Sequence, residues 1–150
     1  MVVAIILIIA AIAIPNLMRA RMSANEASAV GSVRSINTAE ISYNAAYSDI
    51  GFATTSLVYL GGAVGATCVP STATGCFIDS ALSTGTKSGY TFDLKAGATA
   101  GTPQPSYSIA AAPTVANQTG TRYFCSFEDA VVRSGTTATD PCTAAALALQ

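Results

Sequence analysis

The residues able to do chemistry are few and scattered. Four cysteines, Cys68, Cys76, Cys125 and Cys142, are the most reactive groups, and histidine is absent. No two cysteines form a C-x-x-C pair, and there is no histidine to complete a zinc site. Disulfide formation is the chemistry left to them. Four cysteines allow three pairings. The sequential one, Cys68–Cys76 with Cys125–Cys142, closes two short loops and is the expected arrangement. Each bridge adds about 2–3 kcal/mol, mainly by restricting the unfolded chain. Disulfides imply an oxidising compartment, the periplasm or the cell exterior; four buried thiols are the competing reading.

Other candidates are weaker. Without histidine the commonest general base is missing, and the many Ser and Thr residues have no evident activating partner. Glu128 and Asp129 could join Asp140 at a calcium ion, but three scattered carboxylates read better as solvated surface charge. Gly61, Gly62 and Gly65 lack the lysine and the strand–helix context of a phosphate loop. Asn117-Gln118-Thr119 matches the glycosylation sequon, a three-residue pattern that arises often by chance. No catalytic, metal or cofactor site is therefore expected, and the chain is not expected to be an enzyme. Net charge is −1, with 7 basic and 8 acidic side chains among 150 residues, so no strong field favours nucleic acid.

The element that dominates the chain carries no chemistry at all. Residues 1–14 are unbroken Met, Val, Ala, Ile and Leu, and no charge occurs before Arg19. A helix apolar on every face cannot lie on a water-exposed surface. It must enter a bilayer, a protein core or a bundle of its own copies. Fourteen helical residues span about 21 Å, and continuing to Met18 gives about 27 Å, against a hydrocarbon thickness of about 30 Å. A signal-peptide core is the bland alternative, with 11–13 (Ala-Ile-Ala) as a passable cleavage site. The basic start is missing, however, and the sequence after Pro15 continues as helix.

The stretch VVAIILIIAAIAIPNLMRAR resembles the N-terminal segment of type IV pilins and pseudopilins, in residues 2–6 and 10–15 most closely. Three departures stand out. The opening that carries the family's assembly glutamate is absent, as is the basic leader ending in Gly, and Leu7 stands where many members have a helix-softening Gly. The resemblance implies that the chain as given starts inside the family's segment. It also implies that Val2, Val3, Ile5, Ile6, Leu7, Ile8, Ile9, Ile12, Ile14 and Pro15 form the polymerisation helix. Arg19 and Arg21 follow the apolar run, which by the positive-inside tendency puts that end in the cytoplasm. The resemblance implies the opposite orientation, the opposing charges lying in the leader.

The rest of the chain reads as a head. Residues 19–47 are helical, with Val30, Val33, Ile36, Tyr43 and Tyr47 recurring at three- and four-residue steps, interrupted near Glu40. Arg21, Glu26, Ser28, Ser32, Ser35, Thr38 and Ser42 form the opposite face. A kink or local melting is expected at Pro15 and a softer point at Gly31, with a stop near Asp49 and Gly51. Residues 51–87 are loop-like, with short ordered pieces expected at 56–60 and 77–82. Strands are expected at 89–94, 106–112, 121–127 and 130–133, from alternating apolar residues. Their order also resembles pilin heads, where a meander covers the helix and a bridge staples the tail, here Cys125–Cys142.

The expected fold is thus α+β: a long N-terminal helix, apolar then amphipathic, packed on a small antiparallel sheet, with residues 1–24 as the apolar half and 25–150 as the head. The function implied is a structural subunit polymerising into an extracellular type IV pilus. Its partners would be identical subunits in a helical filament, the inner-membrane assembly machinery, and the lipid bilayer of the inner membrane before assembly. A pseudopilin of a type II secretion system is the near alternative; a monomeric membrane-tethered adhesin or binding protein, and a secreted enzyme with a cleaved signal, are the distant ones. The absence of a Pro/Gly linker between apolar run and head favours polymerisation.

Overall fold

The computed structural model describes residues 2–53, 55–63, 65, 67–97, 101–135 and 147–148. A single helix, α1 (Val2–Ala46), runs 45 residues, about 68 Å. It passes through Pro15 without a break in helical structure. The expected melting there does not occur in the isolated chain. Proline removes one hydrogen bond and crowds one turn, and the turns on either side hold.

Burial divides α1 sharply. Residues 2–9 and 11–21 are all exposed, whereas Ala29, Ser32, Val33, Ile36, Asn37, Ala39, Glu40 and Tyr43 are buried. These positions recur at steps of three and four, the spacing of one helix face. Ser32 lies on this packed face and Glu26 is largely shielded, both contrary to the sequence expectation. The face is wider than the apolar residues alone mark out, because small and polar side chains share it.

The helix ends in a tight crossing. The Tyr47 amide bonds the Tyr43 carbonyl, and the Ile50 and Gly51 amides bond the Tyr47 carbonyl. Gly51 has φ +85°, and a Cβ there would lie 2.3 Å from the Gln104 carbonyl oxygen. Only glycine fits. Two short helices follow, α2 (Val58–Gly61) and α3 (Ser80–Ser83), at the places where ordered pieces are expected.

The sheet is a six-stranded antiparallel meander in sequence order: β1 (Thr86–Lys87), β2 (Tyr90–Ala96), β3 (Tyr107–Pro113), β4 (Tyr123–Phe127), β5 (Arg133–Gly135) and β6 (Leu147–Ala148). On β2, Tyr90, Phe92 and Leu94 are buried, and on β3, Tyr107, Ile109 and Ala111, as period-two alternation requires. Register puts Ile109 opposite Ser126 and Ala111 opposite Phe124. Directly opposed residues share a face, so Phe124 and Ser126 face the helix and Cys125 points away.

The expected strand at 130–133 is displaced: β5 begins only at Arg133. The Ala130 amide closes a turn onto the Phe127 carbonyl, and Ala130 takes φ +56°. The Asp129 carboxylate then receives the Val131 amide and the Arg133 guanidinium, fixing this corner. The two-residue strands β1 and β6 were too short to read. The core lies between helix and sheet, with Val33, Ile36, Tyr43, Leu57, Leu60, Leu82, Tyr90, Phe92, Tyr107, Ile109 and Phe124. Phe52 packs on Tyr107 at 4.8 Å between ring centroids.

Candidate functional site

The residues with most unsatisfied surface are those of the apolar half. Val2, Val3, Ile5, Ile6, Leu7, Ile8, Ile9, Ile12 and Ile14 are each more than half exposed, and Pro15 is exposed beside them. Large apolar surface left bare marks an interaction site. Fully burying each of these side chains from water stabilises by about 1.5–3 kcal/mol. α1 is the one described helix long and apolar enough to cross a membrane. A Val/Ile run is only a moderate helix former in water, whereas a bilayer or a helix bundle forces the backbone to bond internally.

The head grips the other half at several levels along the axis. Nearest the apolar run, Asn25 Nδ2 donates to the Thr119 carbonyl at 3.0 Å. Glu26 Oε1 accepts from the Thr121 amide at 2.8 Å, the Thr121 hydroxyl at 3.0 Å and the Arg122 amide at 3.3 Å, while Oε2 pairs with Arg122 Nε at 3.4 Å. Ser28 donates to Ser88 at 3.0 Å. Further along, Asn37 Nδ2 donates to Ser126 Oγ at 2.8 Å and to the Ala130 carbonyl at 3.2 Å, and its Oδ1 accepts from the Tyr107 hydroxyl at 3.2 Å. Glu40 is fully buried and accepts the Ala53 amide at 2.9 Å. Burial pushes its carboxyl up from 4.5 to about 8, the Ala53 hydrogen bond opposing. Burial likewise raises the Tyr43 and Tyr107 phenols, and the Glu40 charge adds to both.

Cys68 and Cys76 form a disulfide with Cα atoms 5.9 Å apart. Inside its loop Ser71 and Thr74 exchange backbone hydrogen bonds, and the Tyr43 hydroxyl donates to the Thr72 carbonyl at 2.5 Å. The loop is therefore tied to α1 as well as to itself. Cys125 is buried on β4. Its expected partner Cys142 lies outside the described residues, as does Asp140.

Glu128 and Asp129 sit in the β4–β5 turn. The hydrogen bond from Arg133 holds the Asp129 carboxyl below its ordinary value. Among the described residues no group of three or more His, Cys, Asp or Glu side chains comes together to hold a metal ion. Asn117 is exposed, at φ +63° in a turn closed by its amide on the Gly120 carbonyl. The sequon's Thr119 hydroxyl is engaged at both ends, donating to the Val115 carbonyl and accepting the Val115 amide.

The polar residues that dock helix to sheet were the ones hardest to find from sequence. Glu40 was visible only as a gap in the apolar period. Asn25 and Asn37 gave no signal, and Glu26 resembled a solvated charge. The described residues thus present a bare apolar rod continuous with a helix whose apolar face, with polar side chains set into it, docks on an antiparallel sheet. Comparison with known proteins adds no relative: no family model matches the chain, and no curated protein or solved structure is similar to it.

Proposed function

We propose that this protein is a structural subunit of a type IV pilus-like filament that polymerises through its apolar half. The observation that carries the reading is the junction within α1. An exposed apolar segment passes into the head-bearing segment as one unbroken helix, with no linker between them. A tether needs only hydrophobicity and tolerates a flexible joint. A polymer needs the rod held rigidly to the head, so that bundling the rods sets the position of every head. The Glu26 and Asn25 bonds fasten the head close to the junction and support that rigidity.

In this reading the unassembled subunit rests in the inner membrane with its apolar half in the bilayer. Assembly machinery in that membrane then transfers it into an extracellular bundle of identical subunits. Lipid tails are as apolar as Ile, so side-chain packing between helices, more than the hydrophobic effect, stabilises the bundle against the bilayer.

Negative-stain microscopy of sheared cell-surface material, with mass spectrometry of any filaments, tests the reading. Filaments containing this chain are expected. A membrane-bound monomer with no filaments would leave the tether reading standing instead.

A further inference from the structure

Glu40 takes no part in the apolar half, and none of the ion pairs among the described residues includes it. Its side chain is 0% exposed. Oε2 accepts the Ala53 amide at 2.9 Å, and Oε1 is solvent-inaccessible with no hydrogen-bond partner. No cation offsets it. Lys87, Lys95, Arg122 and Arg133 pair with Asp79, Asp93, Glu26 and Asp129, while Arg19, Arg21 and Arg34 lie on the exposed surface of α1. A buried carboxylate with one neutral donor and no counter-charge is costly, and a neutral acid in the same place costs far less.

What Glu40 holds is the crossing just past the end of α1. The Gln104 amide bonds the Ile50 carbonyl at 2.8 Å, and the Phe52 amide bonds the Gln104 carbonyl at 3.1 Å. Gly51 presses against Gln104, the Phe52 ring packs on Tyr107, and Ala53 is 3% exposed. The Ala53–Glu40 bond joins this crossing to the helix.

We propose that Glu40 is a proton-dependent latch: as the neutral acid it fastens the crossing of residues 50–53 and Gln104 onto α1, and its ionisation loosens that crossing. This goes beyond the filament reading and does not depend on it. Among the described residues, the titratable groups that feel its charge are Tyr43 on α1 and Tyr107 on β3, and Tyr43 in turn feels Tyr47 and, on α2, Tyr59. Residues 50–53 and Gln104 carry none. β2 turns Asp93 and Lys95 outward, and β4 presents Phe124 and Ser126 to the helix with Cys125 on the far side.

The folded-state value lies above the unfolded one, so the folded chain holds a proton that the unfolded chain releases. The stabilising contribution is complete below about pH 4.5, is lost as pH rises, and is gone above about pH 8. The latch is therefore closed in mildly acidic surroundings and opens on the alkaline side.

The test uses the full chain in detergent micelles, labelled with carboxyl-¹³C glutamate at Glu26, Glu40 and Glu128. One resonance is expected to titrate with a midpoint near 8 and to be missing in Glu40→Gln. The Ala53 amide shift should follow the same midpoint. Glu40→Gln keeps an oxygen for the Ala53 amide without a charge, so its melting temperature should hold between about pH 5 and about pH 8 while that of the wild type falls by several degrees relative to it. A Glu40 midpoint below about 6, or an Ala53 amide that ignores the titration, overturns the proposal. If the variant does not fold, the wild-type resonances alone decide.

Discussion

Residues 2–24 and 25–46 share one helix and differ in almost everything that holds a helix in place. Through Arg21 the first segment is bare among the described residues: Val2, Ile6 and Ile9 are as open as surface residues. The second buries Val33, Ile36 and Tyr43 and adds hydrogen bonds from Asn25, Glu26, Asn37 and Glu40. The bare half is apolar from Val2 to Pro15, while the docked half sets buried polar residues among its apolar core. That contrast teaches where each half finds its specificity. The head uses polar contacts to set one register of helix against sheet. The apolar half meets no partner among the described residues.

Matched substitutions separate the two halves most strongly. Ile36→Asp puts a charge into a fully buried site and should cost about 4 kcal/mol or more, enough to unfold a marginal head. Ile9→Asp changes an exposed site and should leave the head's melting temperature unaltered while abolishing filaments. Circular dichroism melts and electron microscopy of both variants check the pair. Normal filaments from Ile9→Asp would remove the apolar half from the assembly.

Within the head, the contributions grade downward. Replacing Cys68 by Ser opens the loop closed onto Cys76, eight residues away, and should lower stability by about 2.5 kcal/mol. A matching drop in the urea midpoint is expected, together with faster exchange of the Ser71 and Thr74 amides. Glu26→Ala removes acceptors from the Thr121 and Arg122 amides and should cost about 1–2 kcal/mol. Its effect should be local, read as hydrogen-exchange deprotection of Thr121. If Thr121 stays protected, Glu26 does not fasten the head near the junction, and the rigid-joint argument for a filament rests on Asn25 alone.

The legible parts of the fold were those written in one-dimensional periods. Tyr90, Phe92 and Leu94 alternate as a half-buried strand must, and α1 shows its 3.6-residue face through Val33, Ile36 and Tyr43. Polar docking was not legible, because a buried Glu and a solvated Glu look alike until the partner is known. Glu26 meets Thr121 and Arg122 from about a hundred residues away, and no local pattern encodes that. β5 was misplaced because the corner depends on Asp129 reaching forward to Val131 and Arg133. Along β4 every residue from Phe124 to Ser126 is buried, so alternation did not say which face meets the helix; only the register with β3 does. The apolar half was the plainest stretch in the sequence, yet no described residue of the head covers it.

Pro15 is where the comparison is finest, because it lies in the bare half and its effect on the head should be smallest. No described head residue covers it, so Pro15→Ala should shift head stability by no more than about 0.5 kcal/mol. Its larger effect is expected in the proposed filament. The ring withholds a donor from the Ala11 carbonyl and crowds that turn, a defect of about 3 kcal/mol in a helix interior. In the isolated chain the helix absorbs the defect and continues through it. In the proposed filament, packing against neighbours would add lateral forces on both sides of the weak turn, and the hypothesis is that they open it. Leu7 lacks the freedom of a glycine, so the opened stretch should be short, between Ile8 and Pro15, with regular helix resuming by Asn16 or Leu17. Pro15→Ala restores the donor and should close that stretch, giving straighter helices in a filament map than the wild type shows. A wild-type map with unbroken helical bonding from Leu7 to Arg21, apart from the one donor that proline lacks, would mean that the filament leaves α1 as the isolated chain has it.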